Sequence, residues 1–359
     1  MRWTFLGWIN EKDFENDVSN PTFIDEETFE VTYDMKLFAR CVEEDCTKIA
    51  TDWKYFEFNK IQMPAYTKVI WSGASGYAPA NSLVSTSENI NLGEQWAIRI
   101  KEKYRKHLGG KITIPTYTDS SRQHKVAIIE DLSNMTQVTE VFFLDDSECV
   151  GSYPFASNRA FYFNSNMTNI HLPASFKYVG QGCFGFCGSL TDIDFGGAKI
   201  EYVGDRAFGN CSQLAITELP DSIAYIGDSG FYNCNALKLR RLPLELKQAR
   251  ESCFQSCYDM ELNTFGHTVG QVELGNFDSK LELICTNAFN GVGNNPAIDE
   301  IFIKSSIKTI AVGAFSNYGD VGGVLKIHDD SGIIRDQYDA QGNAIVNNVF
   351  GPIRHEYVD

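Results

Sequence analysis

The chain lacks the features that usually mark membrane-spanning or secreted precursor proteins. None of its 359 residues fall in an apolar run of about 18 or more, so we predict no transmembrane helix. Its first residues, MRWTFLGW, contain no apolar core of the signal-peptide kind, which predicts no cleavable leader at this end. Basic residues are scarce, because 31 Lys and Arg face 47 Asp and Glu and leave a net charge of −16. This balance disfavours nonspecific binding to nucleic acid and anionic lipid.

Catalytic motifs are also missing. The sequence has no nucleophile elbow, no phosphate-binding loop and no complete dinucleotide fingerprint. The string GDSG at 227–230 resembles a serine-protease nucleophile, but it lies inside a repeated phrase that explains it. The six histidines are scattered and contain no i, i+4 pair. We therefore predict that the protein is not an enzyme, with no catalytic residue, no cofactor and no metal ligand.

What the chain does contain is a phrase repeated along most of its length. Its clearest copies are YVGQGCF at 178–184, YVGDRAF at 202–208 and YIGDSGF at 225–231. The phrase predicts a column of anchors at Phe155, Phe184, Phe208, Phe231, Phe254, Phe289 and Phe315, with a weak match at Leu132. From Leu132 onward the steps are 23, 29, 24, 23, 23, 35 and 26 residues. Self-similarity at a period of about 20–30 residues indicates a solenoid.

Each repeat has a second half that supports this interpretation. A cysteine follows the anchor by three residues in four repeats, and a leucine follows by six in three repeats. Strand-like segments then end at Leu219-Pro220 and Leu242-Pro243, where proline stops a ladder and begins a turn. One repeat cannot bury these apolar columns alone, whereas stacked neighbours form a continuous core.

These repeats resemble the BspA-like (Treponema pallidum type) leucine-rich repeats. The resemblance covers about 112–328 and is strongest over 178–257. It implies a mostly β fold, a leucine-rich-repeat solenoid of about eight turns.

The first 40 residues suggest a separate module. The segment Phe5-Leu6-Gly7-Trp8 and the later run VTYDMKLFAR at 31–40 resemble the tail of the Listeria–Bacteroides repeat, also called the internalin B-repeat. The resemblance implies a partial, β-grasp-like module of bacterial surface proteins over 1–40.

The remaining segments complete the predicted domain organisation. Residues 41–110 read as a β-rich connecting region that ends in a capping helix over 94–108, with apolar residues at helical spacing and Gly109-Gly110 after it. The Lys and Arg residues of that helix predict either a solvated face or a contact with an acidic surface. The solenoid is assigned to 111–328. Residues 329–359 form a C-terminal cap or linker, in which Asp336, Asp339 and Asn343 offer oxygen ligands without EF-hand spacing.

The ten cysteines favour a structural role. We expect one column of thiols on successive turns, a buried ladder formed by Cys187, Cys211, Cys234 and Cys257. Disulfides between neighbours are an alternative, although side chains along a ladder run parallel rather than facing each other. A local disulfide between Cys41 and Cys46 is a further alternative. Finger-type zinc spacing is absent.

A solenoid presents a long, regular surface suited to protein or glycan recognition. The two family resemblances imply a non-enzymatic adhesion module of a bacterial surface or secreted protein, whose partners are host or bacterial surface proteins or glycans. The alternative is a bacteriophage tail or head fibre that self-associates in a virion. Tyr232, Tyr258 and Tyr318 are candidate binding residues, and each could instead pack against the neighbouring turn.

Overall fold

The computed structural model describes 2–10, 37–44, 51–62, 66–68, 88–90, 93–106, 108–119, 121–144, 146–152, 160–262, 271–274, 279–292, 300–311, 313–317, 325–332, 349 and 355–358. Its secondary structure is almost entirely β, which confirms the predicted fold class. None of the helices found among these residues has the length and apolar character needed to cross a bilayer.

Among the described residues, two separate two-stranded antiparallel sheets precede the repeats. Strand β1 (Arg2–Asn10) pairs with β2 (Leu37–Glu44), with a register shift between Phe5 and Gly7. Strand β4 (Tyr66–Lys68) pairs with β5 (Glu88–Ile90). The B-repeat-like module remains a prediction, because most of 1–40 lies outside the described residues.

The predicted capping helix over 94–108 is wrong. The segment contains strand β6 (Glu94–Ile100) and a single 3-10 turn at Glu102–Tyr104. Its apolar residues at 96, 98 and 100 also fit the two-residue period of a strand, and β-branched isoleucines favour that choice. Ile98 and Ile100 are buried in the main core, whereas Ala97 packs with Ile128 on the opposite face. Tertiary pairing on both edges of β6 therefore overrides the helical spacing.

The basic residues of this segment do not form a common face. Arg105 is buried and makes an ion pair with Asp131 at 3.0 Å and with Glu102 at 2.9 Å. Arg99 lies 3.8 Å from both Glu57 and Glu130. Each of these two arginines thus pairs with acidic residues of the same chain.

The repeats build two columns of parallel strands. The first column is a seven-stranded sheet in the order β15-β14-β12-β10-β8-β6-β3, in which the β3–β6 pair alone is antiparallel. Its members besides β6 are β3 (Phe56–Gln62), β8 (Ile128–Asp131), β10 (Gly151–Ser152), β12 (Tyr178–Val179), β14 (Tyr202–Val203) and β15 (Tyr225–Ile226). The second column is a four-stranded sheet of β7 (Gly109–Ile114), β9 (Gln137–Phe143), β11 (Asn169–His171) and β13 (Asp192–Asp194).

Both columns continue in the C-terminal part. A three-stranded parallel sheet contains β16 (Gln248–Ala249), β18 (Leu283–Ile284) and β20 (Thr309–Ile310). A four-stranded parallel sheet contains β17 (Gln271–Leu274), β19 (Glu300–Ile303), β21 (Leu325–Asp329) and β22 (His355–Tyr357). The chain therefore alternates between the two columns, and each coil lies on the one before it.

One core cluster runs through the coils, from Phe56 to Val349. From Phe161 onward each coil adds one stacked phenylalanine ring and several aliphatic side chains to this cluster, and four coils add thiols of the Cys187 column. This continuity explains why no single repeat would be stable alone.

Candidate functional site

A column of stacked rings forms the axis of the repeats. The rings belong to Phe161, Phe184, Phe208, Phe231, Phe254, Phe289 and Phe315. Neighbouring centroids are 4.8–5.6 Å apart and ring planes differ by 3–12°. Phe155 lies outside the described residues, and the ring stacked on Phe184 is that of Phe161, so the assignment of Phe155 to this column is corrected.

The reason for that shift is the number of residues between the strand and the ring. Gly151 is the strand partner of Tyr178. Phe161 follows Gly151 by ten residues, whereas Phe184 follows Tyr178 by six. The sequence pattern aligned Cys149 with Tyr178, two residues before the observed partner Gly151, and continued without a gap to Phe155. It therefore missed both this difference in register and the four extra residues before Phe161.

Backbone hydrogen bonds fix each ring relative to the next coil. The N–H of Phe184 donates to the carbonyl oxygen of Ala207 at 2.7 Å, and the N–H of Phe208 donates to that of Gly230 at 2.8 Å. The residue before each stacked phenylalanine is consistently Ala, Cys or Gly. Space is short at this position, since a Cβ added at Gly230 would lie 2.7 Å from Cγ2 of Ile226 in the same coil.

The predicted thiol ladder lies beside the rings. The Sγ atoms of Cys187, Cys211, Cys234 and Cys257 each donate a hydrogen bond to a phenylalanine carbonyl oxygen of the preceding coil, at 3.1 Å. All eight cysteines whose side chains are described are free, and seven of them are buried. Burial raises the pKa of Cys187, Cys211 and Cys234 well above the ordinary thiol value. These thiols are therefore protonated packing groups rather than nucleophiles.

Sequence reasoning missed the first member of this ladder. Asn164 follows Phe161 by three residues, as each ladder cysteine follows its own phenylalanine. Its Nδ2 donates to the carbonyl oxygen of Leu132 at 3.0 Å, and its Oδ1 accepts from the N–H of Met135 at 2.8 Å. The signal that could have found Asn164 is its spacing from Phe161, not from Phe155.

The turn after each ring contains a left-handed residue. Two positions beyond the anchor, φ lies between 55° and 76° in every described coil, at Asn134, Phe163, Phe186, Asn210, Asn233, Ser256, Gly291 and Asn317. The N–H of this residue donates to the next coil, for example from Phe186 to Gly209 at 2.9 Å. Asparagine and glycine tolerate this conformation well, whereas phenylalanine does so at a cost.

The two phenylalanines at this position form an exposed aromatic pair. The rings of Phe163 and Phe186 stack with centroids 5.3 Å apart, and each side chain is 43% exposed. The ring of Tyr162 meets Phe186 edge-on at 5.5 Å. Tyr232 and Tyr258 are also exposed, at 37% and 39%. The sequence-predicted candidate Tyr318 lies outside the described residues.

We define the turn face as the residues one, two, four and five positions after the stacked phenylalanine, in the coils from Phe161 to Phe254. It is made of aromatic residues, Asn, Gln, Ser, Gly and Ala, and its only charged residue is Asp259. Asparagine side chains continue the face beyond the aromatic pair. The Nδ2 of Asn233 donates to Oδ1 of Asn210 at 2.9 Å, and that of Asn235 donates to Oδ1 of Asn233 at 3.1 Å.

The outer face of the β7-β9-β11-β13 sheet is different, because it is charged and internally paired. His171 lies 2.9 Å from Glu140 and 3.1 Å from Asp194, and its ring stacks on Phe142. Lys111 also pairs with Glu140 at 2.7 Å. Burial opposes the charge on Glu140, but Lys111 and His171 outweigh it and lower the pKa of this carboxyl group.

A second polar cluster lies where the first column of strands is interrupted. Arg250 makes a bidentate contact with Asp228, at 2.8 and 3.1 Å, and its guanidinium lies over the ring of Tyr225. Oδ1 of Asp205 accepts from the N–H of Asp228 at 2.9 Å. Burial, followed by the nearby Asp228 charge, raises the pKa of Asp205.

Metal binding has no support in the described part of the chain, where no group of three or more His, Cys, Asp and Glu residues is arranged to hold an ion. The oxygen ligands suggested at 336, 339 and 343 lie outside the described residues.

Comparisons with known proteins agree with the repeat geometry. The family model of the BspA type leucine-rich repeat region matches 154–279 and 263–324, in six copies. No curated protein matches the chain.

Solved structures also resemble it. A leucine-rich cell surface protein from Faecalibacterium prausnitzii is 20% identical, with a TM-score of 0.34 and coverage of 62% of each chain. The T. pallidum leucine-rich repeat protein is 17% identical, with a TM-score of 0.41 and coverage of 77% of this chain and 92% of that one. A leucine-rich repeat protein from Bacteroides ovatus is 15% identical, with a TM-score of 0.37 and coverage of 81% and 75%.

The family match covers the same coils as the column of stacked rings. It also covers the backbone hydrogen bonds that each ring residue donates to the next coil. The segment 154–324, just under half of the chain, therefore matches the family of BspA type leucine-rich repeats.

Proposed function

We propose that this protein is a non-enzymatic binding module of a bacterial surface or secreted protein, and that it acts in adhesion by recognising protein or glycan. The observation that carries the proposal is the turn face, where large aromatic side chains are exposed on a rigid, repeating scaffold. Exposed aromatic residues with few neighbouring charges are typical of recognition surfaces.

The polar groups of the coils support binding over catalysis. The thiols of the ladder are buried and protonated, and His171 on the outer sheet face is held between two carboxylates. The acidic net charge argues against nucleic acid as the partner. The bacteriophage fibre remains an alternative prediction.

A direct test is to immobilise the purified full chain and measure its binding to a glycan array and to purified host matrix proteins. We expect saturable binding to at least one class, abolished when the chain is unfolded by heat. A correctly folded chain that binds neither class would overturn the proposal.

A further inference from the structure

The aromatic pair is kept at a conformational cost. Phe163 and Phe186 occupy the left-handed position that asparagine, serine or glycine occupies in the other described coils. A phenylalanine Cβ is crowded by its own backbone in this conformation, whereas glycine avoids the crowding and asparagine relieves it by local hydrogen bonding. Neither ring is needed to fill the core, because the stacked rings of Phe161 and Phe184 already do so.

Strained residues that persist without a packing role point to a function. Both side chains extend into solvent, and they lie on adjacent coils so that their rings form one apolar surface with Tyr162. In each of these two coils, a position that could hold asparagine therefore carries an exposed phenylalanine ring. Such a surface suits a ligand with its own apolar patches.

The surroundings of the pair define the ligand's charge. The chain has a net charge of −16, yet Asp259 is the only charged residue of the turn face, in the last of its five coils. An anionic ligand would be repelled by the protein as a whole, and a cationic one would find few carboxylates on this face. Charge complementarity therefore favours a neutral ligand.

The hydrogen-bonding groups of the face define its chemistry. Beyond the aromatic pair the same column presents amide side chains at Asn210 and Asn233, and hydroxyl groups lie near them at Ser212 and Ser256. Amides and hydroxyls both donate and accept, which matches a ligand rich in hydroxyl groups. These groups recur with each coil, and the ring column of the same coils has a spacing of 4.8–5.5 Å. That spacing is of the same order as one sugar unit in an extended glycan.

We propose that the turn face binds a neutral glycan chain along the solenoid axis, with Phe163, Phe186 and Tyr162 packing against apolar sugar faces and the asparagine row binding hydroxyl groups. The inference rests on the proposed binding function and narrows it to one ligand class and one surface.

The test uses the full chain and an array that contains neutral, sialylated and sulfated oligosaccharides. The informative variant is the double substitution Phe163→Asn and Phe186→Asn, which installs the residue found elsewhere in the column. Lys238→Ala, an exposed change outside the turn face, is the matched control. We expect wild type and control to bind neutral glycans alike. The double variant should lose at least tenfold in affinity while its melting temperature stays the same or rises.

Other outcomes would overturn the inference in distinct ways. If the double variant binds glycans as well as wild type does, the proposed site is wrong, although the proposed binding function still stands. If wild type binds only charged glycans, or only matrix proteins whose glycans have been enzymatically removed, a neutral glycan is the wrong ligand class. Binding to none of these probes by wild type would count against the proposed function itself. If the double variant fails to fold, Phe163→Gly with Phe186→Gly applies the same criteria, because Gly291 occupies this position in a later coil.

Discussion

The Sγ atom of Cys211 lies 3.1 Å from the carbonyl oxygen of Phe184, the residue whose ring stacks directly on that of Phe208. The cysteine thus connects its own coil to the preceding one, at a buried carbonyl group. The same bond recurs in three other coils. A thiol serves here because it is small enough for the core and still donates a weak hydrogen bond.

Replacing this thiol should cost more than its volume suggests. We expect Cys211→Ala to lower the free energy of unfolding by about 0.5–1.5 kcal/mol, because the buried carbonyl of Phe184 would lose one of its two donors and keep only the N–H of Cys187. Urea unfolding measures the difference. Cys285→Ala is the control, since that thiol is half-buried and lies outside the ladder. Equal effects for the two variants would contradict a bonding role for the ladder.

Two glycines of one coil should respond oppositely to alanine. A Cβ at Gly204 would lie 2.6 Å from the backbone nitrogen of Gln181, whereas at Gly209 the nearest atom is 3.4 Å away. We expect Gly204→Ala to destabilise the protein by about 1–3 kcal/mol through overpacking. Gly209→Ala should be neutral or stabilise it by up to about 1 kcal/mol, because it restricts the unfolded chain. Thermal unfolding of both variants tests the contrast, and a destabilised Gly209→Ala would refute it.

The buried ion pair between Arg105 and Asp131 should make the protein sensitive to loss of either partner. Arg105→Met leaves Asp131 without its cation, and we expect a loss of about 2–4 kcal/mol. The guanidinium is nearly inaccessible, but Asp131 keeps some contact with water, which reduces the effect. Lys54→Met, which removes an exposed partner of Asp52, should change the free energy of unfolding far less.

Acid should weaken the same pair. Burial opposes ionisation of Asp131, but hydrogen bonds from Arg105 and Ser133 outweigh it and lower the pKa of Asp131 below its usual 3.8. A lowered pKa contributes stability that is present above pH 3.8 and is lost as the pH falls through the folded-state pKa. Unfolding measured across this window should show a smaller acid dependence in Asp131→Asn than in wild type. Identical profiles would contradict this assignment.

The contribution of Asp205 to the free energy of unfolding should depend on pH in the opposite direction. Its pKa is raised, first by burial and then by the neighbouring Asp228 charge, so the folded state favours the protonated form. The ionised group therefore opposes folding above its raised pKa, and this penalty disappears as the pH falls toward 3.8. We expect Asp205→Asn to be more stable than wild type at pH 7, with the difference narrowing in acid. A difference that widens in acid would disprove this account.

Much of the repeat architecture could be predicted from the sequence because its signal is periodic. Phe184, Phe208 and Phe231 recur with nearly constant steps, and a residue that recurs in this way has to occupy equivalent places in stacked coils. Prediction failed where the period was interrupted. The extra residues before Phe161 shifted the column away from Phe155, and pairing of β6 with two neighbours overrode a spacing that also fits a helix.

The aromatic pair could not be predicted for a different reason. Phe163 and Phe186 look like ordinary core residues in the sequence, one position from another aromatic or glycine. Phe186 aligns with the polar residues Asn210 and Asn233 of later repeats, but Phe163 could not be aligned because Phe161 was not identified as its anchor. Tyr232 and Tyr258, by contrast, were predicted as candidates and are exposed.

The 35-residue step from Phe254 to Phe289 leaves their ring centroids 5.6 Å apart, hardly more than the 4.8 Å between Phe208 and Phe231, which are 23 residues apart. The additional residues thus do not separate the stacked rings. The length of a coil can therefore vary while the spacing of the rings stays nearly constant. A solenoid of this kind can therefore accept extra residues between rungs without rebuilding the core, and an epitope tag grafted between these two rungs should leave the remaining coils intact.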